Sequence, residues 1–550
     1  MIKVTELFFR YKRAAAPVFN ELNLEVAAGE RVAIIGPSEA GKSTLALCLG
    51  GLIPRMIKGE FRGEVEVAGS LTHLVRPREL ADRVGLLFQD FEAQLFSTRV
   101  DQEVAFGPEN LGLNRGELRR RVPLSLKRVG LEGLEARDPA TLSGGQKQLL
   151  ALAAVLALDP RVLILDEPTT DLDPLRVEEL LAALGRLSRD HHLTLVLLGA
   201  DLRLARHCSR IVLLHHGAVA ADGPPEEVLR QVETLRGLGL RPPALPALFH
   251  DLGQTDLPLT LEEAVAQAQT LGWKLAEENR RPTPAPPPPP PAPELLALEK
   301  ITFGYRDTTP IFQDFSFSIR AGELIAILGP NGSGKTTLMK LLRGLLQPQA
   351  GGVRTAAENT PLQVGFVFQN PDYQLFAEQV WEEVAFGPRQ LGLSEAEVSR
   401  RVEQALSRVH LLERRDEDPF SLTKGQRQRL AVAGVLALTP QVIILDEPTT
   451  GLDHREQVDM LELIRELHGQ GHTIVMVTHS MWAASNYARR LVVLKDGQII
   501  LDGPIREVLA QEETLAACRL KPPAVMRLSR RLGFLALTTE EFKGLVINKK

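Results

Sequence analysis

The chain is poor in cysteine and carries no long hydrophobic run. Its 550 residues include three cysteines, Cys48, Cys208 and Cys518, which lie far apart and form no CxxC pair. This usage fits a reducing compartment and argues against a disulfide framework or a structural zinc site. No stretch approaches the roughly 18 apolar residues that span a membrane, and the N-terminal MIKVTELFFRYK lacks the apolar core of a secretory signal. We therefore expect neither a membrane span nor a secretory leader.

A net positive charge is also missing. The formal net charge is -5, which gives no support for binding to nucleic acid. Hydrophobic residues at 44% and charged residues at 24% are ordinary for globular proteins. The length allows about three or four average domains.

One set of short motifs is present twice. Each set has a glycine-rich loop, then a motif ending in Gly-Gln, then an apolar run that ends in acidic residues. The copies read GPSEAGKST (36–44), LSGGQ (142–146) and LILDEPTTDLD (163–173), then GPNGSGKTT (329–337), LTKGQ (422–426) and IILDEPTTGLD (443–453). A repeat of this length indicates two whole domains.

The spacing of the two copies supports this conclusion. Lys42 corresponds to Lys335 at a shift of 293 residues and Asp166 to Asp446 at a shift of 280, so the first copy carries 13 extra residues after its glycine-rich loop. We predict a first domain, its small C-terminal extension, a linker, a second domain and its extension, at 1–230, 231–280, 281–294, 295–510 and 511–550.

A proline-rich segment, RPTPAPPPPPPAP (281–293), separates the copies. Proline runs adopt an extended polyproline II helix with a rise of about 3.1 Å per residue, so the segment reaches about 40 Å. We interpret it as a semi-rigid spacer between domains. A ligand for an SH3-like domain is the alternative.

Alternating strand and helix signals predict the fold class. The runs RVAIIG and LIAILG lead directly into the glycine-rich loops, and VLILD and VIILD end in acid. Such runs are typical of strands buried on both faces of a mostly parallel sheet. We predict an α/β fold of two tandem P-loop domains, each a mostly parallel sheet flanked by helices, with the chemistry in the loops after the strands.

The pattern GxxxxGK[ST] between a strand and a helix predicts a phosphate-binding loop in each copy. Backbone N–H groups cradle phosphates, the lysine reaches the terminal phosphates, and the next hydroxyl, Ser43 or Thr336, binds Mg²⁺. A chance glycine turn is the alternative. The predicted residues are Gly36, Gly41, Lys42, Ser43 and Thr44, then Gly329, Asn331, Gly332, Ser333, Gly334, Lys335, Thr336 and Thr337.

Two acidic residues end a later strand of each copy. Asp166 and Asp446 are placed to bind Mg²⁺, directly or through water. The next residues, Glu167 and Glu447, are placed to accept a proton from an attacking water. Solvated acids at a strand end are the alternative.

With LSGGQ and LTKGQ added, the chain resembles the ATP-binding cassette (ABC) ATPases over nearly all of its length outside the linker. The resemblance implies ATP as the nucleotide and Mg²⁺ as its metal. It also implies two domains that face head to tail, so that the Walker (glycine-rich) loop of one and the signature of the other enclose each ATP. The signature begins a helix, whose N–H groups aid binding of the γ-phosphate. The signature residues are Ser143, Gly144, Gly145 and Gln146, and in the second copy Gly425 and Gln426.

The resemblance also transfers single positions. Gln89 and Gln369 match the Q-loop glutamine, which senses Mg²⁺ and the transport partner. Asp173 and Asp453 match the D-loop. His479, in VMVTHS, matches the switch histidine that contacts the γ-phosphate.

Two tyrosines complete the resemblance. Tyr11 and Tyr305 lie where the family stacks an aromatic ring on adenine. Simple packing within a strand is the alternative for both.

When the Walker loop of each copy is paired with the signature of the other, one ATP site matches the family pattern throughout and the other departs from it. The site built on Lys335 keeps every family element, including Glu447 and His479, and takes its signature from the first copy. The site built on Lys42 collects the departures, which are Glu39 in place of glycine, Thr423 and Lys424 in the signature, and Ala200 at the switch position after a one-residue gap.

These departures are expected to affect ATP binding and hydrolysis to different degrees. Glu39 either points to solvent or opposes the triphosphate, and Lys424 adds an N–H donor and a positive charge. Ala200 offers no side-chain donor or acceptor, and losing one such contact costs about 10²–10³ in rate. Because Glu167 is retained, we expect residual turnover there. Our hypothesis is that one site hydrolyses ATP, with Glu447 as the base, while the other mostly holds it.

The residues after the Q-loop narrow the family. FQNPDYQLF (368–376) followed by VWEEVAFGPRQLGL (380–393) resembles the ATPases of energy-coupling-factor importers. Two ATPase domains fused in one chain, with LTKGQRQR in the second, resemble the branch for hydroxymethylpyrimidine or thiamine uptake. Cobalt, nickel or another vitamin remains an alternative substrate.

This narrower resemblance implies a peripheral protein on the cytoplasmic face of the cell membrane. Its partners are a membrane-embedded coupling subunit and a substrate-binding membrane subunit, and it does not contact the transported substrate. We expect the docking surface around 89–103 and 369–383, where a solvated helical face is the alternative.

A soluble tandem cassette protein acting on ribosomes is the main alternative function. Such proteins usually join their domains by a long charged helix, whereas this chain has a proline-rich linker and a net acidic charge. A DNA-repair cassette ATPase would need long insertions, which the chain lacks. A nonenzymatic nucleotide sensor is disfavoured by Glu167 and Glu447.

Overall fold

A computed structural model describes residues 1–169, 172, 174–191, 193–275, 292–305, 310–356 and 362–547. The chain divides into two units, Met1–His250 and Asp251–Lys550. Most of the predicted linker, 281–291, lies outside the described residues, as does the predicted D-loop residue Asp173.

The first unit alternates strands and helices along the chain. Its strands are β1 Ile2–Tyr11, β2 Phe19–Val26, β3 Arg31–Ile35, β4 Gly59–Val67, β5 Ser70–Leu71, β6 Val84–Leu87, β7 Val162–Asp166, β8 Thr194–Gly199, β9 Arg210–His215 and β10 Ala218–Gly223. Its helices are α1 Lys42–Leu49, α2 Pro77–Leu80, α3 Val100–Asn110, α4 Arg115–Arg128, α5 Gly144–Ala157, α6 Pro174–His191, α7 Pro225–Val228, α8 Val232–Gly237 and α9 Ala244–Asp251.

Two sheets organise this unit. The larger has the order β10-β9-β3-β8-β7-β6 and is parallel except for the β9–β10 hairpin, and the smaller is the antiparallel sheet β2-β1-β4-β5. Successive residues of a strand face opposite sides of its sheet. Accordingly Ala33 and Ile35 join the core that contains α5, whereas Val32 and Ile34 join the core shared with α1 and the antiparallel sheet. The large sheet is therefore buried on both faces.

The second unit repeats this plan and adds elements at both ends. Its strands are β11 Lys274–Leu275, β12 Glu294–Phe303, β13 Phe312–Arg320, β14 Leu324–Leu328, β15 Ala350–Thr355, β16 Val364–Val367, β17 Val442–Asp446, β18 Thr473–Val477, β19 Arg490–Lys495, β20 Gln498–Pro504 and β21 Val546–Ile547. Its helices are α10 Leu261–Thr270, α11 Lys335–Leu342, α12 Val380–Gln390, α13 Glu395–Arg408, α14 Lys424–Leu436, α15 His454–Gly469, α16 Met481–Tyr487, α17 Ile505–Leu509, α18 Glu512–Ala517, α19 Ala524–Arg531 and α20 Thr539–Leu545.

The large sheet of the second unit has the order β16-β17-β18-β14-β19-β20, which matches that of the first unit strand for strand. A smaller antiparallel sheet, β13-β12-β15, accompanies it. Both units are mostly parallel sheets flanked by helices, so the predicted α/β fold class and its duplication are confirmed. The predicted domain boundaries stay predictions.

An equivalent ion-pair cluster holds the antiparallel edge of each large sheet. In the first unit Arg210 lies 2.5 Å from Asp222 and 3.3 Å from Glu30. In the second unit Arg490 lies 2.7 Å from Asp502, and it also contacts Glu323. Each cluster ties the β9–β10 or β19–β20 hairpin to the residue before β3 or β14, which helps to fix the strand whose end carries the Walker loop.

The first residues of the second unit, 251–275, pack against its C-terminal elements. Strand β11 pairs antiparallel with β21, and α10 packs against α19. Trp273 is buried, with its ring centroid 6.0 Å from that of Phe542. Asp251 lies 3.4 Å from the Lys543 ammonium. Residues 251–275 are thus held against the C-terminal helices of the chain.

No helix of the described residues is long and apolar enough to cross a membrane. The cysteines Cys48, Cys208 and Cys518 are all buried and unbonded to one another. Burial raises the pKa of the Cys208 thiol to about 12. A thiol in that state is a poor nucleophile and a poor metal ligand, which suits a packing role.

Trp273→Ala should release the segment 251–275 from the C-terminal helices. Removing a buried tryptophan costs about 3–5 kcal/mol. We expect faster proteolysis within 251–275, measured by limited digestion and mass spectrometry. Glu262→Ala, at an exposed position of α10, is the matched control. Equal digestion of the two variants would contradict the contact.

Candidate functional site

A glycine-rich loop connects β3 to α1 and β14 to α11 in the same way. The Lys42 ammonium donates to the carbonyls of Gly36, at 2.9 Å, and Pro37, at 2.8 Å. The Lys335 ammonium makes the equivalent bonds at 2.8 and 3.0 Å. Both lysine side chains are buried. The loop therefore holds a positive charge inside its curve, as a phosphate-binding loop requires.

The glycine that precedes each Walker lysine cannot be replaced by a residue with a side chain. Gly41 and Gly334 both have φ of 100°. A Cβ on Gly41 would lie 2.8 Å from the Phe19 ring, and one on Gly334 would lie 2.8 Å from the Phe312 ring. The backbone conformation and the aromatic ring both exclude a side chain there.

Glu39, the first departure in the Walker loop, is exposed and has φ of 61°. The corresponding Gly332 has φ of 81°, and a Cβ there would meet no atom within 4 Å. The loop keeps its path with glutamate in place of glycine, because space is open and only the left-handed backbone is unfavourable.

Hydroxyl and carboxylate oxygens meet where Mg²⁺ is predicted. The Thr336 hydroxyl donates to Asp446 at 3.4 Å. Asp166 is buried, with one oxygen that accepts no hydrogen bond, and Ser43 lies beside it. Burial raises the pKa of Asp166, and burial together with the Glu447 charge raises the pKa of Asp446 to about 6.

This oxygen set fits Mg²⁺, which prefers hard oxygen ligands and whose charge would reverse those pKa shifts. Gln89 and Gln369 follow β6 and β16, and these strands pair in parallel with β7 and β17, which end in Asp166 and Asp446. Both glutamines are exposed at that edge.

The candidate base of the second half has a histidine partner. His479 Nε2 lies 3.0 Å from Glu447 Oε1, and the His479 backbone N–H donates to Oε2 at 3.1 Å. Glu447 is buried. Burial works to raise the pKa of Glu447, but the His479 imidazole and the Lys335 ammonium outweigh it and hold that pKa below its ordinary value. The carboxylate is therefore ionised and oriented.

In the first half, alanine stands at the position equivalent to His479. In the first unit, Ala33 of β3 lies opposite Leu197 of β8. In the second unit, the equivalent Ala326 of β14 lies opposite Met476 of β18. That register places Ala200 at the position of His479, with the one-residue offset predicted from sequence. The Ala200 backbone N–H still bonds to Glu167, as that of His479 does to Glu447.

The Lys42 ammonium lies 3.8 Å from the Glu167 carboxylate. Burial raises the pKa of Glu167 to about 7. At neutral pH this carboxyl group is therefore only partly ionised, unlike Glu447.

The two signature motifs begin their helices in the same way despite different residues. Ser143 accepts from the Gln146 N–H at 3.4 Å, and Thr423 accepts from the Gln426 N–H at 3.3 Å. Each glutamine side chain accepts in turn from the N–H of the capping residue. Threonine thus preserves the N-terminal cap of the helix.

Lys424, the other departure in the second signature, directs its side chain to Gly451 of the same unit. Its ammonium lies 2.2 Å from where a Cβ on Gly451 would stand, and Gly451 has φ of 74°. Gly451 follows the PTT motif and precedes Asp453, which caps α15 by accepting from the Glu456 N–H at 2.9 Å. The charge of Lys424 therefore lies over the D-loop of the second half.

The tyrosines lie beside the Walker loops. The Tyr11 hydroxyl is 3.0 Å from that of Thr44, and the Tyr305 hydroxyl is 3.5 Å from that of Thr337. Tyr305 is exposed. Each tyrosine ring also makes an edge contact with a phenylalanine of its own strand, Tyr11 with Phe9 and Tyr305 with Phe303, as the strand-packing alternative predicts.

Sequence analysis missed a pair of exposed phenylalanines after each Q-loop. Phe96 and Phe106 are 60% and 46% exposed with ring centroids 4.4 Å apart, and Phe376 and Phe386 are 60% and 46% exposed at 4.8 Å. The repeated QLF and AFGP strings contained them, but exposure of an aromatic residue is not visible in sequence.

A buried glutamate presents each pair. Glu103 accepts from the N–H groups of Phe96 and Ser97 at 3.1 and 2.7 Å. Glu383 accepts from Phe376 and Ala377 at 2.9 and 2.8 Å. The carboxylate fixes the loop, and the phenylalanine side chain faces solvent as a result.

Two P-loops, each at the end of a parallel strand beside a buried Asp-Glu pair, define a duplicated nucleoside-triphosphatase. A family model described as ABC transporter matches residues 19–170 and 312–450. The chain belongs to the ABC transporter ATP-binding family, whose members bind ATP, normally with Mg²⁺, and hydrolyse it.

Relatives match almost the whole chain. A protein of Caldanaerobacter subterraneus subsp. tengcongensis, provisionally named an ABC transporter ATP-binding protein, is 44% identical over 98% of both chains. A Bacillus subtilis protein, provisionally named an HMP/thiamine import ATP-binding protein, is 34% identical over 94% of this chain and 93% of its own. The solved structure of cbiO1 from Clostridium perfringens, described as part of the ABC transporter complex cbiONQ, is 35% identical and covers 43% of this chain and 99% of its own, with a TM-score of 0.38.

The two glutamates should respond in opposite ways to neutralisation in nucleotide-free, metal-free protein. Folding moves the pKa of Glu167 from 4.5 to about 7, so ionised Glu167 costs stability increasingly as the pH rises through that window. Glu167→Gln removes this cost. We expect it to raise the free energy of unfolding at about pH 8 by up to about 3 kcal/mol, with no gain near about pH 4.5.

Glu447→Gln is the matched control for this measurement. Because the pKa of Glu447 is lowered in the folded chain, its ionised form contributes stability above the ordinary pKa, and that contribution is lost as the pH falls through the folded value. The variant should therefore be less stable than wild type at neutral pH. Calorimetry over a pH series measures both, and a stabilising effect of Glu447→Gln would contradict the geometry.

Proposed function

We propose that this chain is the ATP-hydrolysing subunit of an energy-coupling-factor type membrane importer of a vitamin or a metal ion. The observation that carries the catalytic part is the contact of His479 with Glu447 beside Lys335 and Asp446. The importer part is supported by the full-length similarity to the Bacillus subtilis protein named for HMP/thiamine import.

The residues of the second half have distinct roles in this proposal. Lys335 and the loop N–H groups bind the phosphates, and Thr336 and Asp446 hold Mg²⁺, which when bound neutralises phosphate charge. Glu447 orients the attacking water and accepts its proton, because its lowered pKa keeps it ionised. His479 fixes the carboxylate and reaches toward the γ-phosphate.

The site built on the first Walker loop holds ATP more than it cleaves it. Alanine stands at position 200 in place of the histidine, and the pKa of Glu167 is about 7, so its ionisation at neutral pH is poorer than that of Glu447.

Glu447→Gln should abolish ATP turnover, while Glu167→Gln should leave most of it. Loss of a positioned general base lowers kcat by about 10²–10⁴, and Glu447 lies 3.0 Å from the His479 imidazole, which orients it. Phosphate release from the purified full chain gives kcat for each variant. Equal losses in the two variants would overturn the asymmetric assignment.

The exposed phenylalanine pairs are the proposed docking surface for the membrane-embedded coupling subunit. They lie in both halves at corresponding positions, within or close to the regions 89–103 and 369–383 predicted from sequence. In each pair the loop phenylalanine is anchored by a buried glutamate, Glu103 or Glu383, so a partner seated there would act on the segment that follows the Q-loop.

Phe376→Ala combined with Phe386→Ala should weaken the attachment of the chain to membranes that contain its transporter subunits. Burying a phenylalanine is worth about 1.5–3 kcal/mol, so we expect at least a tenfold loss of the membrane-bound fraction. Leu345→Ala, another exposed apolar side chain of the same half, is the control. Fractionation by sedimentation measures the membrane-bound fraction. Recovery of the wild-type chain with ribosomes instead of membranes would favour the alternative of a soluble cassette protein that acts on ribosomes.

A further inference from the structure

An aromatic contact in the second unit joins the D-loop to the turn that carries His479. His454 is the first residue of α15 and directly follows the D-loop residue Asp453. Trp482 lies in the first turn of α16, three residues after His479. The two ring centroids are 5.4 Å apart at an interplanar angle of 66°, an edge-on arrangement that aromatic pairs prefer. Helix α16 therefore meets the N-terminal end of α15 through this pair of rings.

A second contact joins the same two helices at the other end of α16. The Tyr487 hydroxyl donates to Glu462 of α15 at 3.0 Å. Burial and this hydrogen bond raise the pKa of Tyr487 to about 12, so the hydroxyl keeps its proton at neutral pH. The Tyr487 ring also packs edge-on to Trp482, with centroids 6.2 Å apart. Helix α16 is thus attached to α15 at both of its ends.

The D-loop side of the aromatic contact is itself fixed. Asp453 accepts from the Glu456 N–H at 2.9 Å, and its own N–H donates to the Glu456 carboxylate at 3.2 Å. This reciprocal capping box defines the first turn of α15. His454, the next residue, therefore occupies a defined position against which Trp482 packs.

The turn that carries His479 has polar anchors on both sides of the histidine. The Thr478 N–H donates to the Ile327 carbonyl of β14 at 3.2 Å, and the Ser480 N–H donates to the Thr478 hydroxyl at 3.0 Å. Ser480 also caps α16 by accepting from the Ala483 N–H at 3.2 Å. His479 therefore lies between a strand whose position is set by the sheet and a helix whose position is set by α15.

The first unit has different residues at the positions of both rings. Pro174 stands where the second unit has His454, and Leu202 stands where it has Trp482, at the shift of 280 residues. The segment after Ala200 forms a 3-10 helix in place of α16. The sequence therefore supplies the two rings in the half that has a switch histidine and not in the half that has alanine there.

We propose that Trp482 is a positioning residue for ATP hydrolysis, which holds the His479 imidazole against Glu447 by bracing α16 on the first turn of α15. The inference rests on the proposed function, in which His479 fixes the carboxylate that accepts the proton of the attacking water. The contact to be held is 3.0 Å between His479 Nε2 and Glu447 Oε1. Without the indole, α16 loses the ring that seats it, and His479 moves with its helix away from Glu447.

Trp482→Ala tests this in the purified full chain. It should lower kcat for ATP by about tenfold with little change in KM, since a displacement of about 1 Å can cost up to 10²-fold while the phosphate contacts of Lys335 are untouched. Trp482→Phe keeps an aromatic ring beside His454 and should recover most of kcat. His454→Ala removes the other ring and should reproduce the loss.

Leu535→Ala is the matched control, because Leu535 and Trp482 are both partly buried against the same hydrophobic core. Its kcat should match wild type, and thermal unfolding of each variant shows that the comparison concerns folded protein. A wild-type kcat for Trp482→Ala, or a Trp482→Phe variant as slow as Trp482→Ala, would overturn the proposal.

A second background shows whether Trp482 acts through His479. His479→Ala removes the imidazole and should cost about 10²–10³ in rate, which single-turnover measurements with protein in excess over ATP can follow. Trp482→Ala should then cause no further loss, because the two changes remove one interaction and are not additive. A further tenfold loss in that background would contradict the positioning role.

Failure of this inference is distinguishable from failure of the proposed function. Turnover retained in Glu447→Gln would remove the asymmetric assignment whatever Trp482 does. Full dependence on Glu447 and His479, together with a Trp482→Ala variant as fast as wild type, would leave the ATPase assignment in place and reject the positioning role alone.

Discussion

The in-register parallel sheet of each half is the constraint on which both candidate sites depend. Because β17 and β18 run parallel, with Asp446 opposite Val477, the residues after both strands emerge at one edge, as does the Walker loop after β14. The Glu447 N–H donates to the Val477 carbonyl at 3.0 Å, and Glu447 has φ of 49°. The strand end thus turns the glutamate toward the lysine of the loop.

The first half builds the same backbone with a different electrostatic result. The Glu167 N–H donates to Leu198, and Glu167 has φ of 50°, so the same unfavourable conformation recurs. Left-handed backbone at a non-glycine residue is often retained at functional sites. The halves then differ at one nearby side chain, His479 or Ala200, and in the direction of the pKa shift, which is downward for Glu447 and upward for Glu167.

The halves also differ in how rigidly one loop is attached to another. Arg427 and Gln428 of the second half bind the Q-loop to α14, whereas the first half relies on Lys147. The half with the intact base thus has the firmer link.

Local patterns were sufficient to predict the α/β class, the duplication and the positions of Lys42, Lys335, Asp166 and Asp446. Such features depend on strand periodicity and on short motifs whose backbone geometry is set by neighbouring residues. The one-residue offset at Ala200 was also visible, because LVLLGAD aligns with VMVTHS only with a one-residue gap.

Only the tertiary structure decided the orientations that depend on residues distant in the chain. It placed Lys424 over Gly451, showed that Thr423 keeps the helix cap, and left Glu39 exposed. It also exposed the phenylalanine pairs and packed residues 251–275 against the C-terminal helices. The sequence by itself determined which groups are available for chemistry. Their direction and ionisation were decided by packing, because burial and neighbouring charge act through space and not along the chain.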